Sequence, residues 1–307
     1  MGSDHETPFR PRPLPVSAAL LVGVAAALWG SIGVAVTVAS RHGLSAVDTS
    51  LWRAGGAFLA LFLGVLVLRP QALRVRSRDL PLFAAYGLLG VAVFMTIYFT
   101  AVRLSSVATA AMLLYTAPAW VTVLARIFFA EPLGRRKAVA VLLTVAGSAL
   151  VVRAYDPAAL HLNLAGVAAG LAAGFTYALY SIFGKGALRR YAPLTTVLYA
   201  LGFGAGFLLI AALLGPGLSL PPPRAWPVLV YLVTVPTLLA YLLYVAGLNQ
   251  MEAGRASILA TVEPVVAAAL GVLLLGERLE PWQWLGGGLV VTGILSVHWG
   301  ALTSQTV

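Results

Sequence analysis

Residues 98–152 read YFTAVRLSSVATAAMLLYTAPAWVTVLARIFFAEPLGRRKAVAVLLTVAGSALVV. Moved forward by 146 positions without a gap, the stretch lies on residues 244–298, YVAGLNQMEAGRASILATVEPVVAAALGVLLLGERLEPWQWLGGGLVVTGILSVH. Tyr98 meets Tyr244, Pro118 meets Pro264, Leu124 meets Leu270, Glu131 meets Glu277, Leu133 meets Leu279 and Gly147 meets Gly293. Both copies are strongly apolar. Duplication inside apolar sequence points to a membrane protein assembled from two structural halves, the common plan of secondary transporters.

Composition agrees. The chain has 307 residues, 60% hydrophobic and 10% charged, with a mean hydropathy of +0.93. A soluble domain carries about 25% charged residues, so lipid is the expected solvent here. There is no cysteine, and His5, His42, His161 and His298 are scattered. Disulfides are thereby excluded and no metal-ligand spacing is present. The net charge of +10 does not call for nucleic acid, because the basic residues fall in short loops between apolar runs.

A spanning helix needs about 20 mostly apolar residues. Such runs fall at 17–40, 48–68, 80–102, 105–129, 136–153, 164–184, 192–214, 226–248, 253–275 and 281–300. Residues 1–16, with Arg10, Arg12 and several prolines, read as a disordered N-terminal arm. The run after them is too long for a signal-peptide core and reads as a retained helix. Loops on the N-terminal side of the membrane hold fourteen basic residues and the opposite loops five, with Arg53 left inside the second run. That bias places both termini in the cytoplasm. Five helices per half is an odd number, so the second half enters from the opposite side. The expected fold is an all-α membrane protein, ten transmembrane helices in two inverted five-helix repeats, 17–153 and 164–300.

Tyr115-Thr116-Ala117-Pro118 through Ala130-Glu131-Pro132-Leu133 to Gly147 resembles the EamA domain of the drug/metabolite transporter (DMT) superfamily. Glu263-Pro264, Gly276-Glu277-Arg278-Leu279 and Gly293 resemble it more closely still, and Trp29-Gly30 and Arg53 suit the pattern. The likeness covers about residues 17–300. It implies two inverted EamA repeats around a central cavity, alternating access, and a multi-pass protein of the bacterial inner membrane. It also implies a small-molecule substrate, with amino acid exporters of the YddG type as the relatives named first. The expected function is export of amino acids, aromatic or broad in range, and related metabolites. The alternative is a broad drug or toxin exporter of the same family. Neither a catalytic constellation nor a phosphate-binding glycine loop is present, so an enzyme or an ATP-driven pump is not expected. No cofactor is implied.

The candidate cavity residues are Trp29, Tyr98, Tyr115, Thr116, Tyr177, Tyr180, Ser181, Tyr244, Thr261 and Glu263. Glu263 leads, because an acid in mid-membrane is expensive and is functional by default. It reads as a proton-coupling site, as the partner of a substrate ammonium, or as a structural carboxylate locking two helices. Its repeat partner is Ala117, so the two halves differ there. Tyrosines offer a hydroxyl beside an apolar ring; Tyr177, Tyr180 and Ser181 share a helix face by spacing. Pro118 and Pro264 are the expected hinges, since a proline inside a helix loses its N–H bond and frees the carbonyl four residues back. Pro236 has Gly90 opposite it and reads as a static kink. Arg53 reads as attracting anionic substrate groups or, in preference, as snorkelling outward or pairing with Asp48. Glu131 and Glu277 read as cap or gate residues.

Overall fold

A computed structural model describes residues 16–105, 107–158, 163–215, 218–276 and 278–302. The expected N-terminal arm and Glu277 fall outside these residues. All regular structure among the described residues is helical. In the first half run α1 (Val16–Gly30), α2 (Ile32–Arg41), α3 (Ala46–Leu68), α4 (Leu80–Ala85), α5 (Phe94–Leu104), α6 (Val107–Leu114), α7 (Ala117–Phe129) and α8 (Arg135–Val151). In the second run α9 (Leu164–Leu188), α10 (Pro193–Leu214), α11 (Trp226–Val233), α12 (Ala240–Gln250), α13 (Ala253–Ala260), α14 (Val262–Leu275) and α15 (Pro281–Leu302).

Several of these join end to end. Among the described residues, eight stretches are long and apolar enough to cross a membrane. They are Val16–Arg41, Val47–Leu68, Ser77–Leu104, Thr109–Phe129, Leu164–Leu188, Pro193–Leu214, Pro223–Gln250 and Ala253–Leu274. The chain is thus a multi-pass membrane protein. The runs expected at 136–153 and 281–300 correspond to α8 and α15, which are not among the eight. α8 has 17 residues and opens on Arg135-Arg136-Lys137. α15 runs from Pro281 to Leu302.

Local chemistry explains where the helices start, break and stop. Ser45 caps α3: its hydroxyl accepts from the Asp48 N–H at 3.0 Å, satisfying a first-turn donor, and donates to the Asp48 carboxylate at 2.6 Å. Asn163 caps α9 by accepting from the Gly166 N–H at 2.7 Å. Three spans are broken inside. At each break a hydroxyl donates to the carbonyl three residues back: Ser31 to Leu28 at 2.6 Å, Thr116 to Leu113 at 2.6 Å and Thr261 to Ile258 at 2.5 Å. The second and third breaks precede Pro118 and Pro264, where the helical N–H is missing. The helices they begin end alike. Ala130 (φ 55°) closes α7 and Gly276 (φ 70°) closes α14, both left-handed and 146 residues apart.

Two π-helical turns, Tyr86–Val93 and Thr234–Leu239, interrupt the spans Ser77–Leu104 and Pro223–Gln250. Moved by 146, the first covers the second, so Pro236 and Gly90 sit in equivalent irregular turns rather than one being an isolated kink.

The halves interlock. α1 packs against α12, α13 and α14, while α9 packs against α5, α6 and α7. A Cβ on Gly30 would stand 2.9 Å from the Glu263 carbonyl, and one on Gly174 would stand 2.8 Å from the Leu113 carbonyl. Each half therefore presses its first helix against the broken helix of the other. Two further contacts join equivalent helices, α3 with α10 and α8 with α15. Along the last pair, Gly147 abuts Gly286 and Val290, while Gly293 abuts Ala140 and Thr144. The 146-residue step carries the first set of contacts onto the second, and the two helices run antiparallel.

Candidate functional site

The main core lies between the halves and is unusually aromatic at its centre. Trp29 of α1 stands 5.0 Å from Tyr244, 5.7 Å from Tyr241 and 6.4 Å from Tyr177, ring centre to ring centre. Tyr180 lies 5.1 Å from Tyr241 and 5.0 Å from Tyr86. Edge-on and tilted pairs at these distances hold rings in fixed orientation.

Beside this stack is a void of about 10 Å³, no larger than a single water needs. It is lined by Tyr115, Ala117 and Pro118 at one helix break, by Ser257, Ala260, Thr261 and Glu263 at the other, and by Tyr177, Ser181 and Tyr244. The Ser181 and Tyr244 hydroxyls are 2.7 Å apart. Tyr177 and Tyr115 line the void together with Glu263. Glu263 sits in the first turn of α14, where unpaired N–H groups and the helix dipole favour negative charge.

Six of the ten sequence-selected cavity residues thus border the void: Tyr115, Tyr177, Ser181, Tyr244, Thr261 and Glu263. Pro118 borders it too. Trp29 and Tyr180 form the layer behind. Tyr98 packs on Phe94 and Phe99. Thr116 spends its hydroxyl on the Leu113 carbonyl. Pro264 opens α14 directly after Glu263.

The structure corrects the reading of Arg53. It does not snorkel, being 7% exposed, and Asp48 is committed to the cap of α3. Instead its Nε donates to the Thr237 hydroxyl at 3.0 Å, and Thr237 donates to the Leu232 carbonyl at 2.7 Å. That carbonyl lies five residues back, at the π-helical turn, so the irregular backbone positions the arginine. Arg53 and Glu263 feel each other's charge. The usable signal was an arginine within an apolar run, which asks for an intramembrane partner.

Charges also close one end of the core. Lys137, 8% exposed, pairs with Glu252 at 2.8 Å and Glu131 at 3.5 Å, and Arg255 pairs with Glu252 at 3.3 Å. Glu131 accepts from the Ala253 and Gly254 N–H groups at 2.7 and 3.1 Å, so it caps α13 of the other half. Lys185 donates to the Leu248 and Met251 carbonyls at 2.8 and 2.6 Å. Among the described residues no group of three His, Cys, Asp or Glu could hold a metal.

The profile of the EamA-like transporter family matches this chain twice, over residues 16–153 and 164–299. An uncharacterized transporter of Archaeoglobus fulgidus is 31% identical over 272 residues, 86% of this chain and 95% of that protein. The uncharacterized inner membrane transporter YicL of Salmonella typhimurium is 26% identical over 91% of this chain and 94% of its own length. A probable terminal-alkyne amino-acid exporter of Streptantibioticus cattleyicolor is 25% identical over 88% of this chain and 89% of its own. A solved crystal structure of a protein only 18% identical shares the fold, with a TM-score of 0.79, covering 94% of this chain and 99% of that one.

Proposed function

The chain belongs to the EamA-like transporter family of the DMT superfamily, and from that premise we propose that it exports amino acids and related metabolites across a bacterial inner membrane. The carrying observation is the Glu263 carboxylate at a void walled by tyrosine and serine hydroxyls, with the buried guanidinium of Arg53 within electrostatic reach of it. A zwitterion needs both signs: Glu263 receives the ammonium and Arg53 the carboxylate, while Trp29, Tyr177 and Tyr244 receive the side chain. The likeness to a probable amino-acid exporter supports the same reading.

The proposed architecture is ten membrane spans in two inverted five-helix repeats, with both termini cytoplasmic. The self-matching antiparallel contact of α8 with α15 supports the inversion, and the loop charge bias supports the orientation. The void is too small for an amino acid in this state, so substrate enters only when the broken helices move apart. Ammonium and proton compete for the one carboxylate at Glu263, which couples export to proton entry.

Reconstituted protein should exchange labelled amino acids, and the apparent KM should fall as pH rises on the loading side, because the ionised carboxylate binds the ammonium. Glu263→Gln should cut flux at least about tenfold, as losing one charge-assisted hydrogen bond predicts, and should flatten the pH dependence. An unaltered pH profile in that variant would remove Glu263 from coupling. Flux of lipophilic cations with none of any amino acid would replace the substrate class by drugs and leave the family intact.

A further inference from the structure

A second open space shares none of its lining residues with the charged site. It is an apolar groove of about 450 Å³ between α3 and α10, walled by Phe58, Phe62, Phe203, Phe207 and Ile210. Gly202 lets Phe58 lie against α10, since a Cβ there would come within 2.8 Å of that ring, while Gly206 has open space above it. From Tyr199 to Ile210 the groove follows α10 for about 16 Å, at about 1.5 Å per residue. That is half of the roughly 30 Å hydrocarbon core, the depth of one leaflet.

One end of the groove meets residues 69–79. Leu73 lines it, and its carbonyl accepts from the Tyr199 hydroxyl at 2.7 Å; the Ala72 carbonyl accepts from Thr195 at 2.9 Å. Asp79 fastens the segment further through Arg190 and Tyr191. The segment is therefore held firmly at the groove mouth. It carries Arg69, Arg74, Arg76 and Arg78, all exposed and none ion-paired among the described residues. The equivalent segment of the second half, 215–225, carries Arg224 as its one basic residue in the sequence. A near-symmetric pair of helices thus bounds a groove with strongly basic character at one end only.

We propose that this groove is a site for an anionic phospholipid, with an acyl chain against α3 and α10 and the phosphate at Arg74 and Arg76. A recess one leaflet deep suits a flexible chain. A second copy of this protein would need a matching ridge, and the apolar surface alone would not call for the arginines. Each arginine near an anionic headgroup contributes about fivefold in affinity.

Native mass spectrometry of the full-length protein, given equal phosphatidylglycerol and phosphatidylcholine, tests this. Wild type should retain phosphatidylglycerol by about an order of magnitude over phosphatidylcholine. Arg74→Gln with Arg76→Gln should bring that ratio close to one. Gly206→Trp, which fills open space, should lower occupancy by both lipids without lowering the melting temperature. Equal retention of the two lipids by wild type overturns the proposal, as does a ratio unchanged in the double variant. A dimer that Gly206→Trp dissolves would assign the groove to a second copy. The arginine variants lie on the surface and decide the matter even if Gly206→Trp does not fold.

Discussion

Among the described residues the Arg53 side chain is hydrogen-bonded through Nε, to Thr237, and its two terminal nitrogens form the fork that binds a carboxylate in two places. Arg53→Gln keeps a donor but loses the charge and the fork. Hydrogen bonds to charged groups contribute about 1.5–3 kcal/mol, so the apparent affinity for amino acids should fall about 10- to 100-fold. The corresponding amino acid amides, which lack the carboxylate, should lose little. Transport competition with both sets of compounds measures this, and an equal loss for both would reduce Arg53 to a packing residue. The contrast with Glu263 shows what single residues disclose. Glu263 stands out in sequence as an acid beside a repeated proline. Arg53 finds its hydrogen bond 184 residues away, through a turn whose irregularity has no hydropathy signal. Tyr180 illustrates a finer limit: three residues from Tyr177 is only approximately the same helix face, and the offset turns it from the void onto Tyr86 and Tyr241.

The broken helices are the elements best matched to motion. α6–α7 and α13–α14 break at equivalent positions, next to the void and next to the acid. Each break is held by a hydroxyl-to-carbonyl bond and a missing proline N–H rather than by continuous helix bonding. Pro264→Ala supplies an N–H that can bond the Ala260 carbonyl four residues back and so let α13 run on into α14. The variant should therefore melt higher in detergent and turn over at least several-fold more slowly, since closing the break opposes movement of α14. Higher stability with undiminished turnover would make the break a static kink. The prolines were legible as paired interruptions. The π-helical turns were not, because composition reports the length of an apolar run and is blind to how its carbonyls are paired. Glu131 was legible as an end residue, but its target, the start of α13, lies in the other half and emerges only from packing.

At the scale of the molecule, the decisive property is the relation between the halves. An operation that maps Gly147–Val290 onto Gly293–Thr144 returns to its start when applied twice, which is the mark of a two-fold relation. The helices it joins run antiparallel, so the proposed axis lies in the membrane plane. Such a scaffold gives alternating access a simple basis: the arrangement that opens one side is related to the one that opens the other by exchanging the roles of the halves. The proposed inversion has a direct consequence for exposure. Pro132 and Arg278 are equivalent, both exposed, and both in the links before α8 and α15. The chain has no cysteine, so Pro132→Cys and Arg278→Cys each place a single thiol on an otherwise unreactive protein. In intact cells a membrane-impermeant maleimide should label the Arg278→Cys protein at once and the Pro132→Cys protein only after lysis, because the proposed orientation, argued from the basic loops, has the first link inside. Labelling of both from the same side would sink the inverted arrangement, and reversed labelling would keep it while turning the whole molecule over in the membrane.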